Sequence, residues 1–286
     1  MRAYAIFLQV IVSCTLLPPC GHAEAIDTEH LFGFMIGSDV GEAGEREFQN
    51  QTTGRFAKNT GTYSALTDAI ELELVPVRNF RVEFAAVAAS YDISGAAGFD
   101  DLKQAGLQGL SVDLRYRFLD KDTAPFGVIF AAETHAGRID EISGQHARNY
   151  GTDFALAFDR ELISNRLVAA VNLLYQPEST HFLATDRTER DTTLGVAWAM
   201  MAQVQPGLLI GGEARYLRNY EGFGLDAFAG HALFVGPTMF IRLSKSSRLT
   251  AAWSFQVAGR SAAMAGSLDL VDFERHQARL IYGINF

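Results

Sequence analysis

The sequence has almost no cysteine, because its two cysteines, Cys14 and Cys20, both lie in the first 25 residues. Residues 1–25 have the pattern of a secretory signal. Arg2 provides a positive charge, an apolar stretch runs from Ala3 to Leu17, and a small-x-small cleavage site ends at Ala25. We therefore predict cleavage near Ala25 and an exported chain that can form no disulfide.

Long apolar runs are also absent after the signal. The nearest candidate, Ala227 to Leu243, is interrupted by His231, Gly236-Pro237 and Arg242. A helix that crosses a bilayer needs roughly twenty consecutive apolar residues, so none is expected here. No Pro/Ser-rich linker divides residues 26–286, which predicts a single domain.

Basic residues are scarce: 24 Lys and Arg stand against 33 Asp and Glu, the net charge is −9 and the pI is about 5.3. This balance argues against nucleic acid as a partner. Gly222-Phe223-Gly224 and Gly211-Gly212 lack the surrounding βαβ unit of a nucleotide site. One acidic run lacks the spacing of a calcium loop and favours a solvated loop; its members are Asp39, Glu42, Glu45 and Glu47. We predict no metal and no cofactor.

What the chain does contain is about a dozen segments in which apolar and polar residues alternate. In the clearest one, Leu110 to Phe118, every second residue is apolar and the residues between are Ser111, Asp113, Arg115 and Arg117. The first such segment is near Leu31 to Asp39 and the last comprises residues 275–286. The pattern predicts an all-β fold, a transmembrane antiparallel up-and-down β-barrel of about 12 strands.

The connections between these segments alternate in length, as expected when short periplasmic turns alternate with longer extracellular loops. The short ones are Val77 to Asn79, Leu119 to Ala124, Glu161 to Asn165, Gln205 to Gly207 and Ser244 to Ser247. The long ones are Val40 to Tyr63, Asp92 to Gln108, Gly137 to Asn149, Pro177 to Arg190, Asn219 to Gly230 and Gly259 to Phe273. This order predicts that both termini lie in the periplasm.

The final strand presents Leu280, Tyr282, Ile284 and Phe286 on one face. It resembles the closing strand of Gram-negative outer-membrane β-barrels. That resemblance implies that Tyr282, Ile284 and Phe286 form the signal read by the barrel-assembly machinery. It also implies an outer-membrane location, with outer-membrane lipid and lipopolysaccharide as partners. The chain further resembles alphaproteobacterial outer-membrane proteins and, more distantly, the channel family linked to phenol-degradation pathways.

Strand parity places a set of charged side chains in the lumen, where water tolerates charge better than lipid does. The pore-lining candidates are Glu71, Glu73, Arg81, Glu83, Asp113, Arg115, Arg117, Glu133, Asp153, Asp159, Glu213, Arg215, Arg242 and Arg279; His135 and Arg275 share their parity. These charges either form a salt-bridge lattice that fills the barrel or line an aqueous path. Parity also predicts that Glu73 lies opposite Glu83, with Arg115 and Arg117 offsetting their repulsion.

Small luminal residues favour the aqueous path, because they leave space unless a loop folds in; they are Gly127, Ala131, Ala155, Ala157, Gly195, Ala197 and Ala199. We predict a passive channel for small solutes or ions. The alternatives are a structural or surface-interaction barrel with a blocked lumen, an enzyme active at the rim, and a channel for apolar compounds. Four histidines near extracellular ends show no spacing to a nucleophile, so no enzyme is predicted; they are His135, His146, His181 and His231.

Overall fold

The computed structural model describes residues 26–286 as one closed barrel of antiparallel strands. The strands are β1 (Arg46–Phe56), β2 (Thr62–Val77), β3 (Phe80–Ser94), β4 (Leu102–Leu119), β5 (Gly127–Ile139), β6 (His146–Ile163), β7 (Leu167–Phe182), β8 (Arg187–Gln205), β9 (Leu208–Glu221), β10 (Phe228–Arg242), β11 (Ser247–Ser261) and β12 (His276–Asn285). Each strand pairs with its sequence neighbours, and β1 pairs with β12 to close the barrel. The predicted fold class and strand number are confirmed.

The alternation of side chains gives the barrel an apolar outer face and a polar lumen. In β4, Leu110 is 59% exposed and Leu114 is 43% exposed, whereas Ser111 and Asp113 are buried. Because the barrel is closed, no strand has an unpaired edge, so this apolar face can contact lipid. Separately, residues 26–286 contain no helix long and apolar enough to cross a membrane.

The predicted first strand at Leu31 to Asp39 is wrong. Residues 26–45, which we call the amino-terminal segment, form no strand. Residues 26–40 lie inside the barrel, and residues 42–44 are exposed. β1 lies instead in the stretch that the sequence predicts to be the first long connection. Its only large apolar residues are Phe48 and Phe56, so hydropathy gives little alternation there. The strand is fixed by hydrogen-bonded partners on both sides, β2 and β12.

Five of the six long connections are shorter than predicted, whereas the last one, 262–275, has nearly its predicted length. At the end of the barrel that we call the loop end, the connections span only 57–61, 95–101, 140–145, 183–186, 222–227 and 262–275. At the opposite turn end, where β1 begins and β12 finishes, they span 78–79, 120–126, 164–166, 206–207 and 243–246. Polar stretches such as Ser179–Phe182 and Arg187–Arg190 pair as strand beyond the apolar band, where hydropathy no longer marks them.

The amino-terminal segment provides the main apolar core. Leu31, Phe32 and Met35 are buried against the inner wall of β7 to β10, where Met201 and Phe240 also contribute. Val40 packs in a smaller cluster on the neighbouring wall, formed by β5 and β6. The segment therefore contacts several sides of the lumen and fills its turn-end half.

Candidate functional site

Polar side chains of the wall hold the amino-terminal segment in the lumen. The Asp159 carboxylate accepts hydrogen bonds from Thr28 Oγ1 and Ser38 Oγ, both at 2.7 Å. The Glu213 carboxylate accepts them from the backbone amides of Gly33 and Phe34, at 2.6 and 2.8 Å. The segment forms no strand and has no ladder hydrogen bonds. These carboxylates are therefore the hydrogen-bond partners of its polar groups.

Some of the small luminal residues of the wall accommodate the segment. Ala157, Ala197 and Ala199 are buried in its apolar clusters. A side chain at Gly127 would collide with Ser38, since a Cβ there would lie 1.8 Å from Ser38 Oγ. In this half of the barrel, the amino-terminal segment therefore occupies the space that the sequence predicts to be part of an open path.

Arg81 lies at the centre of a charged cluster formed by the barrel wall and the segment, and is only 1% exposed. Its Nη1 lies 3.0 Å from Glu29 Oε1 and 3.1 Å from Glu73 Oε2, and its Nη2 lies 3.2 Å from Glu83 Oε2. Glu73 is the cross-strand partner of Glu83, as predicted. Arg81 forms the ion pairs with both of them, whereas Arg115 and Arg117 contact other carboxylates.

The cluster continues across the seam where the barrel closes. Arg248 of β11 forms an ion pair with Glu47 of β1, and its Nη2 donates to Gln49 Oε1 at 2.8 Å. A side chain at Gly283 would collide with both charged groups, because a Cβ there would lie 2.2 Å from Arg248 Nη1. His30 of the amino-terminal segment lies among these carboxylates. We call the whole group the histidine cluster; its members are Glu29, His30, Glu47, Glu73, Glu83, Arg81 and Arg248.

Arg115 and Arg117 have other partners. Arg115 Nε lies 2.6 Å from Asp113 Oδ2 on the same strand. Arg117 Nη1 lies 3.4 Å from Asp39 of the amino-terminal segment, and Lys121 contacts the same carboxylate. The predicted role of the two arginines beside Glu73 and Glu83 is therefore wrong, because each has a nearer carboxylate.

Above the amino-terminal segment, toward the loop end, the lumen holds a cavity of about 430 Å³. Phe34 forms part of its floor. The guanidinium carbons of Arg215 and Arg279 lie 4.1 and 4.8 Å from the centroid of the Phe34 ring, an arrangement that favours cation–π attraction. The ring thus separates the filled half of the lumen from the hollow half.

The cavity wall is strongly acidic. Its carboxylates are Glu71, Glu133, Asp140, Glu141, Asp153, Glu178, Asp191, Asp272 and Glu274, and its guanidiniums are Arg55, Arg215 and Arg279. Acidic and basic residues are nearly balanced along the whole lumen, but they are not evenly distributed. Arg81, Arg115, Arg117 and Arg248 are in ion pairs outside the cavity, whereas carboxylates predominate within it.

Two loops lean over the cavity from the loop end. In loop 140–145, Tyr63 Oη donates to the Ile142 carbonyl at 2.8 Å, and Arg55 Nη2 lies 3.0 Å from Glu141 Oε2. The charge of Arg55 lowers the pKa of Glu141. In loop 262–275, Lys58 Nζ donates to the Phe273 carbonyl at 2.9 Å. Burial lowers the pKa of Lys58 to about 8.

The structure places most pore-lining candidates on the inner wall. Those that are buried are Glu71, Glu73, Arg81, Glu83, Asp113, Asp159, Glu213 and Arg215. Those that are partly buried are Arg115, Arg117, Glu133, Asp153 and Arg279. Arg242 is exposed at the end of β10 and Arg275 is exposed in loop 262–275, so neither belongs to the cavity. Only Glu71, Glu133, Asp153, Arg215 and Arg279 line the cavity.

Sequence reasoning missed the luminal residues of β1 and of the amino-terminal segment. The inward-facing residues of β1 are Glu47, Gln49, Thr53 and Arg55. Hydropathy predicts a loop for this stretch. A search for period-two alternation of charged and uncharged polar residues would have found it. His30 offered no signal, because its partners lie far away in sequence.

An apolar groove of about 700 Å³ lies on the outer face between β4 and β7. Its wall includes Tyr150, Phe154 and Tyr175, and it shares His135 and Ser111 with the luminal cavity. Here the β6–β7 ladder is interrupted, since pairing passes from Gly151–Glu178 to Phe154–Tyr175 across Pro177, which has no amide hydrogen.

The remaining predicted histidines have polar neighbours at the wall and rim. His135 Nε2 lies 3.4 Å from Glu178 Oε2. His181 Nδ1 lies 3.0 Å from Thr188 Oγ1, in a hairpin at the loop end. His146 is exposed on β6. These contacts are typical of polar residues on the wall and rim of a barrel.

The closed barrel with a polar lumen and an apolar exterior has the fold of an outer-membrane β-barrel. The COG4313 outer membrane channel from Pseudomonas putida F1 superposes with a TM-score of 0.58 at 13% identity, covering 87% of this chain and 98% of that one. The NanC porin superposes with a TM-score of 0.50 at 8% identity, covering 84% and 100%. The family of unknown function DUF6662 matches residues 24–286, so the chain belongs to that family. No curated protein matches the sequence.

Proposed function

We propose that this protein is an outer-membrane channel for small cationic solutes or ions, closed in this structure by its amino-terminal segment. The observation that carries the proposal is the cavity wall, on which nine carboxylates stand against three guanidiniums. An apolar outer face supports the membrane location. The proposal includes no catalysis.

The acidic wall favours cations for a simple electrostatic reason. A cleft that is lined by one sign of charge and bounded by walls of low dielectric constant focuses the field and concentrates counter-ions. Rings of carboxylates select cations in channels by the same effect. Arg215 and Arg279 lie at the floor beside Phe34, so the carboxylates dominate the part nearer the loop end.

Passage through the barrel requires the amino-terminal segment to move. Its anchors are hydrogen bonds to Asp159, Glu213 and Asn172, together with the apolar contacts of Leu31 and Phe32. Hydrogen bonds to charged groups contribute about 1.5–3 kcal/mol each. The closed state is therefore stable, and only displacement of the segment would join the cavity to the turn end.

The test is conductance of the purified, refolded protein in a planar bilayer under a salt gradient. We expect stepwise currents and a reversal potential of the sign expected for cations. A double variant, Ser38→Cys with Asp159→Cys, should conduct less when oxidised and recover on reduction, whereas each single variant should not respond. Anion selectivity would contradict the proposal. Absence of current, also after deletion of residues 26–40, would favour the blocked structural barrel.

A matched pair of variants tests the wall itself. Glu71→Gln together with Glu133→Gln removes two carboxylates from the cavity and should lower the cation-to-anion permeability ratio about two- to fivefold. Asp92→Asn together with Lys103→Gln removes an exposed pair of opposite charges outside the cavity, at 3.4 Å, and serves as the control. An equal change in both variants would show that the cavity wall does not set selectivity.

The outer groove favours a second candidate function, lateral movement of apolar compounds between the bilayer and the lumen. The observation is that the groove and the cavity share His135 and Ser111 where Pro177 interrupts the ladder. Pro177→Val would permit another ladder hydrogen bond and should slow the entry of a fluorescent naphthylamine into cells. Unchanged entry, with the variant folded, would leave only the axial channel.

A further inference from the structure

His30 lies in the amino-terminal segment with its imidazole directed into a group of carboxylates. Its side chain is 10% exposed, and Nε2 is buried without a hydrogen-bond partner. Carboxylate oxygens of three residues surround that atom, Glu47 at 3.6 Å and Glu29 and Glu73 at 3.7 Å each. These separations are too long for hydrogen bonds. A buried nitrogen without a partner calls for an explanation.

The two oxygens of Glu29 and of Glu73 have different partners. In each carboxylate one oxygen lies 3.0–3.1 Å from Arg81 Nη1 and the other is directed toward His30. The arginine therefore fixes both carboxylates without using the oxygens that surround Nε2. This is the arrangement in which charged neighbours orient the ligands of a metal ion.

The ligand spacing fits a small divalent cation. Glu29, His30 and Glu73 each offer one atom, and these atoms all lie within 4.8 Å of one another. Zinc binds nitrogen and oxygen ligands at about 2.0–2.2 Å in a tetrahedron, which places the ligand atoms roughly 3.4 Å apart. The observed 3.7 Å from Nε2 to the nearest oxygens of Glu29 and Glu73 exceeds that spacing by only a few tenths of an ångström.

The charge of the histidine cluster points the same way. Glu29, Glu47, Glu73 and Glu83 contact only two guanidiniums, those of Arg81 and Arg248. Carboxyl groups therefore outnumber guanidiniums four to two in a site shielded from water, where unpaired charge is unfavourable. A divalent cation would compensate this excess of acidic groups.

We propose that Glu29, His30 and Glu73 bind a divalent transition-metal ion of the zinc class, with water in the remaining coordination position. One imidazole and a few carboxylates in a compact tetrahedral site favour zinc over calcium, which takes six to eight oxygens, and over magnesium, which retains several waters. The ligands come from the amino-terminal segment and β2. The ion therefore ties the segment to the barrel wall, whether or not the barrel conducts.

Cobalt is the probe, because its visible absorption reports coordination number. Full-length refolded protein is titrated with cobalt chloride, and zinc chloride is then added as competitor. We expect one equivalent of cobalt with the intense bands of four-coordinate geometry, displaced by one equivalent of zinc. His30→Ala should weaken binding by at least about tenfold. His146→Ala, at an exposed position on β6, is the matched control and should bind as the wild type does.

Glu73→Gln is a second variant that preserves side-chain shape, and it should also weaken binding. Heat-modified electrophoretic mobility shows which variants are folded, and only folded protein is compared. Cobalt binding of equal strength in folded His30→Ala would overturn the proposal. So would folded wild type that binds neither ion at neutral pH, since the cluster would then be neutralised by protons.

Discussion

Arg81 is the residue on which the histidine cluster depends, because three carboxylates contact its guanidinium. Replacement by Met would leave those carboxylates buried without their counter-charge. Breaking a buried ion pair from one side costs about 3–5 kcal/mol. We therefore expect Arg81→Met to lower the free energy of unfolding in urea by that amount. Arg78→Met, at an exposed turn position, is the control, and equal stability of the two variants would refute the expectation.

Asp68 presents the opposite situation, a carboxylate on the outer face of β2. Its Oδ1 accepts hydrogen bonds from Asn50 Nδ2 at 2.6 Å and from Thr52 Oγ1 at 3.2 Å, both also on the outer face. A charge that faces lipid is unfavourable, and acidic residues less so than basic ones. Asp68→Asn should raise the free energy of unfolding by about 1 kcal/mol, measured in lipid vesicles with urea. A loss of stability instead would show that this face is covered by a polar partner.

Asp272 gives the cavity a titratable charge near neutral pH. Burial, together with the neighbouring carboxylate of Asp269, raises the pKa of Asp272 to about 7. An acid is neutral below its pKa and negative above it, so the cavity gains negative charge between pH 6 and pH 8. Cation selectivity measured from the reversal potential should rise over this interval. Asp272→Asn should reduce the rise, and Asp226→Asn in the exposed loop 222–227 should leave it unchanged.

Among the elements, those with an apolar outer face could be predicted from the sequence, and those without one could not. β4 and β12 contact lipid through every second residue, so hydropathy reveals them. β1 carries Asn50 and Thr52 on its outer face and is defined by its partner strands instead. The amino-terminal segment is apolar for the opposite reason, because it is buried in the lumen rather than exposed to lipid.

The candidate site was predictable to the same extent. Inward parity correctly placed Glu71, Glu73 and Glu83 on the luminal side of the wall. Parity does not say which charges neutralise one another, since that depends on the amino-terminal segment, which brings Glu29 and Asp39 into the lumen. The sequence alone therefore does not predict an acidic cavity, because the three-dimensional structure determines which charged residues form ion pairs.

The last strand carries a prediction about assembly. Phe286 is 72% exposed at the turn end, and its amide donates to the Arg46 carbonyl at the seam between β12 and β1. Because the terminal aromatic contributes little to the packed structure, its replacement should act on insertion rather than on stability. Phe286→Asp should lower the amount of heat-modifiable protein in the outer membrane severalfold. Leu243→Asp, exposed at the same end, is the control, and equal loss in both would contradict a specific signal.

For the molecule as a whole, the direction of insertion is a prediction that labelling can test. The turn end holds both ends of the barrel and should face the periplasm. Single cysteines at Ala97, Thr185 and Ala263, all exposed at the loop end, should react with a membrane-impermeant maleimide on whole cells. A cysteine at Thr123, exposed at the turn end, should react only after lysis. The reverse pattern would invert the topology.

The acidic cavity has a consequence for the salt dependence of transport. Its fixed charges make it a small Donnan compartment, in which the wall rather than the surrounding solution sets the cation concentration. Electrostatic screening extends about 10 Å at 0.1 M salt and about 30 Å at 0.01 M. Dilution of the bath therefore strengthens the enrichment inside. Conductance should consequently level off at low salt instead of falling in proportion to concentration, as it does in a neutral pore.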